Sequence, residues 1–170
     1  MHSNSFTFAI AREKDISLIL TFVRELAHEH YMTSLLTIDE HQLAESLFGS
    51  TKTIEVLLGY QKGEPVGYTL FFPEFSSFSG KTGLHLEDLY VRPHARGLGL
   101  GTEMLKQLAQ ITLHRGYNRI QWCALRSNFA AVKFYQKLGA APLSDFMLFR
   151  LSGDSLRLLI PNAPENVCRL

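Results

Sequence analysis

"VRPHARGLGLGTEML", residues 91–105, sets Gly97, Gly99 and Gly101 at alternate positions between Arg96 and the start of an amphipathic run. Alternate glycine suits neither helix nor strand, since each adds backbone freedom that folding must remove. A dinucleotide-binding turn needs glycine at its first, third and sixth positions, and the sixth here is Thr102. A P-loop needs a lysine among the phosphates, and none stands in this stretch. What remains is a strand–turn–helix in which glycines let backbone N–H groups converge on an anion at a helix start. Arg96 adds a guanidinium whose planar fork suits phosphate. A tight turn that binds nothing stays open on pattern alone.

Outward from this turn, "LHLEDLYV" (Leu84–Val91) reads as the strand entering it and Gly99 to Arg115 as the helix leaving it. Met104, Leu105, Leu108, Ile111 and Thr112 share that helix's apolar side. Upstream, "FTFAIA" is a strand. "KDISLILTFVRELAHEHY" is a helix capped by Asp15, with Ile16, Ile19, Leu20, Val23, Leu26 and Ala27 as its core stripe. "TIDEHQLAESLFG" is a second helix with a Thr37/Glu40 capping box. "TIEVLLGYQKGEPVGYTLFF" is a hairpin turning at "QKGEP". "FPEFSSFSGKTG" reads as a loop whose Phe75 and Phe78, with Phe71 and Phe72 before them, wall a pocket or form a lid or dimer contact. Downstream come a strand "RIQWCAL", a helix "SNFAAVKFYQKLG" started by Ser127 or Asn128, a last strand "FMLFRL", and an irregular tail over about 160–170. The expected architecture is one α/β domain over 1–170, its core about 6–152, with a mixed sheet between helices.

The chain has 170 residues, 46% hydrophobic and 19% charged, with a net charge of +1. That balance gives no electrostatic reason for a nucleic-acid or membrane partner. Cys123 and Cys168 have neither metal-ligand nor redox spacing. With no secretory or membrane-spanning pattern, they point to the cytoplasm. His28 and His30 are two apart on a helix and cannot share a face, so no metal is expected.

These residues carry a resemblance. Arg96-Gly97-Leu98-Gly99-Leu100-Gly101 resembles motif A of the GCN5-related N-acetyltransferase (GNAT) superfamily. "HLEDLYV" and "SNFAAVKFYQKLGA" follow in the family's order, and "RELAHEHYM" and "LFG" resemble its diamine and thialysine acetyltransferase branch. The resemblance implies a mostly antiparallel sheet whose central parallel strands splay to admit acetyl-CoA. It implies backbone contacts to the pantetheine arm at Leu89, Tyr90 and Val91, and diphosphate contacts from Arg96 through Gly97, Leu98, Gly99, Leu100, Gly101 and Thr102. Further cofactor contacts fall at Asn128, Ala130 and Ala131, and the implied assembly is a homodimer.

Tyr135 lies seven residues after Asn128 and so near the same helix face. The resemblance makes it the general acid for the departing thiolate. A phenol of pKa about 10 can donate to a thiolate whose conjugate acid lies near 8.5. An amine of pKa about 10.4 must lose a proton before it attacks, and Glu87 is the expected base or ammonium anchor, with Asp88 in reserve on the opposite strand face. Glu29, His30, Glu87, Asp88 and Trp122 form the expected amine-side set. Cys123 reads as buried on a strand and so unsuited to a covalent route. Two departures, His30 where the branch has glutamate and Phe146 where it has tryptophan, count against long polyamines. The expected activity is transfer of acetyl to a small primary amine. A protein-amine acetyltransferase and a non-catalytic acetyl-CoA-binding module are the alternatives.

Overall fold

Lys62 and Gly63, at φ 52° and 82°, make the two-residue turn that pairs β2 (Glu55–Gln61) with β3 (Glu64–Ser76). Two successive positive φ values give a hairpin turn whose twist matches the flanking strands. The computed structural model describes residues 5–159, and the chain divides into two compact units, Met1–Asn128 and Phe129–Leu170. In the first unit β1 (Phe6–Ile10), β2, β3 and β4 (Lys81–Val91) are successive antiparallel neighbours, and β5 (Ile120–Gln121) lies parallel to β4.

One face carries α1 (Ile16–Glu29) and α2 (Glu40–Phe48), whose Ile19, Leu20, Phe22, Leu43 and Leu47 pack on Val56, Leu58, Tyr68, Leu70 and Tyr90. The other carries α3 (Leu100–His114). Its Leu108 lies over Leu57, Phe71, Leu84 and Leu86, while Leu100 and Met104 meet Val66 and Ala95. Burying a Leu- or Phe-sized side chain contributes about 1.5–3 kcal/mol, so these two stripes fix which sheet residues face which helix. The second unit holds α4 (Phe129–Lys137) and α5 (Asp154–Leu158).

The expected elements recur with five corrections. The α2 cap is Asp39, which accepts from Gln42 N at 2.8 Å while Gln42 Oε1 accepts from Asp39 N at 3.0 Å. The box thus starts two residues after Thr37, a phase that turns Leu43 and Leu47 into the core. Asp15 is the N-cap residue of α1 as expected, but its carboxylate accepts from Arg12 N and makes no capping bond to that helix. "FPEFSSFSGKTG" is not a loop: β3 and β4 pair out to Ser76 and Lys81. β2 ends opposite Phe71, so β3 is an edge strand at Pro73 and tolerates its missing N–H. Phe71 is therefore core, Phe72 lies on the sheet, and Phe75 and Phe78 are exposed.

β5 stops at Gln121, which leaves Cys123 exposed rather than buried. "FMLFRL" forms no strand, and Phe146 to Phe149 are exposed. A pleat-compatible composition becomes a strand only where a partner completes its ladder. The tail from 160, with Cys168, lies outside the described residues.

Candidate functional site

Pairing between β4 and β5 spans only Leu84–Ile120 and His85–Gln121. From Leu86 to Val91, β4 is paired to β3 alone, so no strand pairs with its other edge among the described residues. The short parallel pairing stands where the resemblance implies the splay, and Leu89, Tyr90 and Val91 lie along the stretch of β4 beyond it. The Val91 carbonyl faces that edge and accepts from Arg96 Nε at 2.7 Å.

Past the edge, Gly97 and Gly99 adopt φ 73° and 96°, the left-handed region that an L side chain rarely enters. Gly99 is the N-cap of α3, so the N–H groups of Leu100, Gly101 and Thr102 open the helix without intrahelical acceptors. A Cβ built on Gly97 or Gly99 would meet nothing within 4 Å. Free amides, the positive helix end and open space fit a diphosphate. Arg96 is engaged elsewhere: its guanidinium pairs with Glu29 at the end of α1. Arg92 makes the analogous bond to Glu25, with Nε and Nη2 donating at 3.0 and 2.8 Å, and lies 4.8 Å over Phe22. Arg92 holds the Glu25 carboxyl below its ordinary range, while burial, with Glu25 nearby, pushes the Tyr90 phenol up to about 12. Glu25, His28, Glu29, Tyr90 and Arg96 line an open cleft of about 1050 Å³.

The expectation that Glu87 and Asp88 face opposite ways fails at a bulge. Leu70 pairs with Asp88 and Phe71 with Leu86, so Glu87 has no opposite residue on β3. The extra residue breaks the alternation and brings both carboxylates to the α1 face. Asp88 Oδ2 accepts from Tyr68 Oη at 2.8 Å, and Tyr68 stacks on Phe22 at 5.6 Å. Glu87 Oε2 lies 3.6 Å from His85 Nε2 and is largely exposed. Burial raises the Asp88 carboxyl above its ordinary value and outweighs both the Tyr68 hydrogen bond and the favourable field of His30; the Glu87 charge raises it further. Two neighbouring carboxylates, one near solvent and one desolvated, can divide proton acceptance and cation anchoring.

Of the expected amine-side residues, Glu87 and His30 both act electrostatically on Asp88. Glu29 is tied to Arg96, and Trp122 packs against the α3-side cluster of Leu57, Phe71 and Leu84. Asn128 N donates to Leu125 O at 2.9 Å just before α4. On α4, in the second unit, Ala130 is exposed, Ala131 is half-buried, and Tyr135 is half-buried with its ring 5.2 Å from Phe134; burial raises its phenol pKa. Sequence reasoning missed His85 and Tyr68. The only signal was histidine two residues before Glu87, and alternation alone does not tell a solvated histidine from a paired one. Among the described residues no helix is long and apolar enough to cross a membrane, and no three His, Cys, Asp or Glu could hold a metal ion.

The family model described as Acetyltransferase (GNAT) family matches residues 20–140. A thialysine N-epsilon-acetyltransferase of Bos taurus is 32% identical over 160 residues, covering 88% of this chain and 94% of the relative. A spermidine/spermine N(1)-acetyltransferase-like protein 1 of Homo sapiens is 29% identical over 89% of this chain and 23% of its own length. Among solved structures, an integron cassette protein from the mobile metagenome of V. cholerae superposes with a TM-score of 0.76 at 24% identity, covering 91% of this chain and 97% of that one.

Proposed function

We propose, on the premise that the chain belongs to the GNAT family and is an acetyltransferase, that it transfers acetyl from acetyl-CoA to the primary amine of a small molecule. The observation that carries this is the β4 edge from Leu86 to Val91, left without a second strand, running into the Gly97–Gly101 turn, with two carboxylates on the strand that forms it. The edge suits an extended amide-bearing arm, and the turn suits a diphosphate. Bound acetyl-CoA supplies a thioester.

Glu87 takes the proton of the substrate ammonium, directly or through water, and Asp88, half-buried beside Tyr68, holds the cationic end of the amine. His30 sits at the same end. Glu29, paired with Arg96 at the cleft, and Trp122, packed on the α3 side, complete the amine-side set. Tyr135 donates its phenolic proton to the departing thiolate, a role its resemblance to the family's helix tyrosine supports. The amine attacks the thioester carbonyl before that C–S bond breaks, in a ternary complex with no acyl-enzyme stage. Relatives named for thialysine and for spermidine/spermine support a small diamine, polyamine or lysine-like acceptor. The resemblance further supports a homodimer, and cysteine usage a cytoplasmic setting.

The test is acetyl transfer over a panel of diamines, polyamines, lysine analogues, ornithine and peptides. A small amine should be acetylated well above the peptides. Transfer to peptides alone removes the small-molecule assignment, and coenzyme A binding with no transfer to any acceptor leaves a binding module.

A further inference from the structure

His85 lies between two carboxylates that face its two ring nitrogens. Nδ1 is 3.7 Å from Glu74 Oε2 and Nε2 is 3.6 Å from Glu87 Oε2. The ring is stacked on Phe72 at 4.8 Å with the planes 15° apart, which limits its tilt. Glu74 Oε2 is shut off from solvent and has no hydrogen-bond partner, so a buried acceptor waits opposite Nδ1. Facing the imidazole are Glu74 and Phe72 from β3 and Glu87 from its own strand. From β5 comes Gln121, whose side chain accepts from Arg119 Nε at 3.3 Å. A contraction of a few tenths of an ångström turns both ion-pair distances into hydrogen bonds.

We infer that His85, oriented by Glu74, is a positioning residue that relieves Glu87 of the substrate's proton; this rests on the reading of Glu87 as the base. Glu74 fixes the tautomer with the proton on Nδ1, so the Nε2 lone pair faces Glu87. As the amine attacks, an ammonium N–H bond breaks and an O–H bond forms on Glu87. That O–H then breaks as an N–H forms at His85 Nε2. The imidazolium is held by Glu74 until the proton passes to bulk water and Glu87 is again a carboxylate. No oxidant, metal or further reactant is needed.

The test uses the full chain with an amine that the panel shows to be accepted. His85→Gln keeps most of the side-chain volume but cannot take up the proton, and should lower kcat about a hundredfold, at the low end of general acid–base contributions. Its KM for the amine and its affinity for coenzyme A should not change. His85→Ala opens a slot beside Phe72, and added imidazole should restore kcat in proportion to its unprotonated fraction, which a purely structural role would not produce. Should either variant melt out of the assay range, Glu74→Gln, one strand away, is read instead, with a smaller kcat loss expected at unchanged KM. Wild-type kcat in His85→Gln, or a loss in His85→Ala that imidazole leaves untouched, overturns the inference. Full activity in Glu87→Gln overturns the underlying reading instead.

Discussion

Replacing Gly99 by alanine separates the binding role of the glycine turn from its folding role. At φ 96° a Cβ is strained by about 1–2 kcal/mol. Narrowing the unfolded ensemble returns about 0.4–1 kcal/mol, leaving a net loss near 1 kcal/mol. In a chain of this length that lowers Tm by about 2–4 °C. Beyond the adjoining backbone, no atom of the described residues lies within 4 Å of the new methyl, so the fold has no steric objection to it. What the methyl meets is whatever occupies the turn. If the amides after Gly99 hold a diphosphate, displacing one charge-assisted hydrogen bond removes about 1.5–3 kcal/mol, a roughly tenfold to hundredfold weaker Kd.

Gly63→Ala is the control. Gly63 has φ 82°, its added Cβ also meets nothing, and it sits in the β2–β3 turn. Both variants should lose similar Tm in a thermal melt, while calorimetric titration with coenzyme A should distinguish them. If Gly99→Ala binds coenzyme A as tightly as Gly63→Ala does, the turn is only a turn and the reasoning fails.

Tyr135→Phe should cut kcat by about a hundredfold or more while coenzyme A binding by titration stays at the wild-type level; retained turnover excludes the phenol as the acid. Asp88 has a folded-state pKa raised by burial, so its contribution to stability is full below its unfolded value and is lost as pH rises through the folded one. Asp88→Asn, still an acceptor for Tyr68, should therefore melt higher than wild type at neutral pH, with the gap closing at acidic pH; a lower neutral Tm contradicts the sign. Cys123→Ser should keep wild-type kcat if transfer is direct, whereas loss of turnover together with a mass shift of one acetyl on the wild-type chain would establish a covalent route.

Much of the site was legible because its signals are local. The glycine spacing needs no partner to be read, and the stripe of Met104 and Leu108 needs only the helical period. The hairpin at Lys62-Gly63 follows from turn chemistry. What escaped depends on neighbours. The overshoot of β3 past Pro73 is permitted only because β2 ends early. "FMLFRL" carries strand composition without a ladder. The expected burial of Cys123 assumed a β5 longer than two residues. The opposed faces of Glu87 and Asp88 assumed an unbroken alternation, which one unpaired residue reverses.

Remove Glu87 from β4 and the strand reads Leu86, Asp88, Leu89, Tyr90, alternating between the two helical layers as a regular ladder would. Leu70 and Phe71 already sit opposite Asp88 and Leu86, as though nothing stood between them. In that sense Glu87 is supernumerary to the architecture: the sheet closes without it, and no hydrophobic neighbour depends on its identity. A position released from the duty of holding the molecule together can be spent wholly on chemistry, and the same freedom makes it the place where an engineer can exchange one reactive group for another without disturbing the interior.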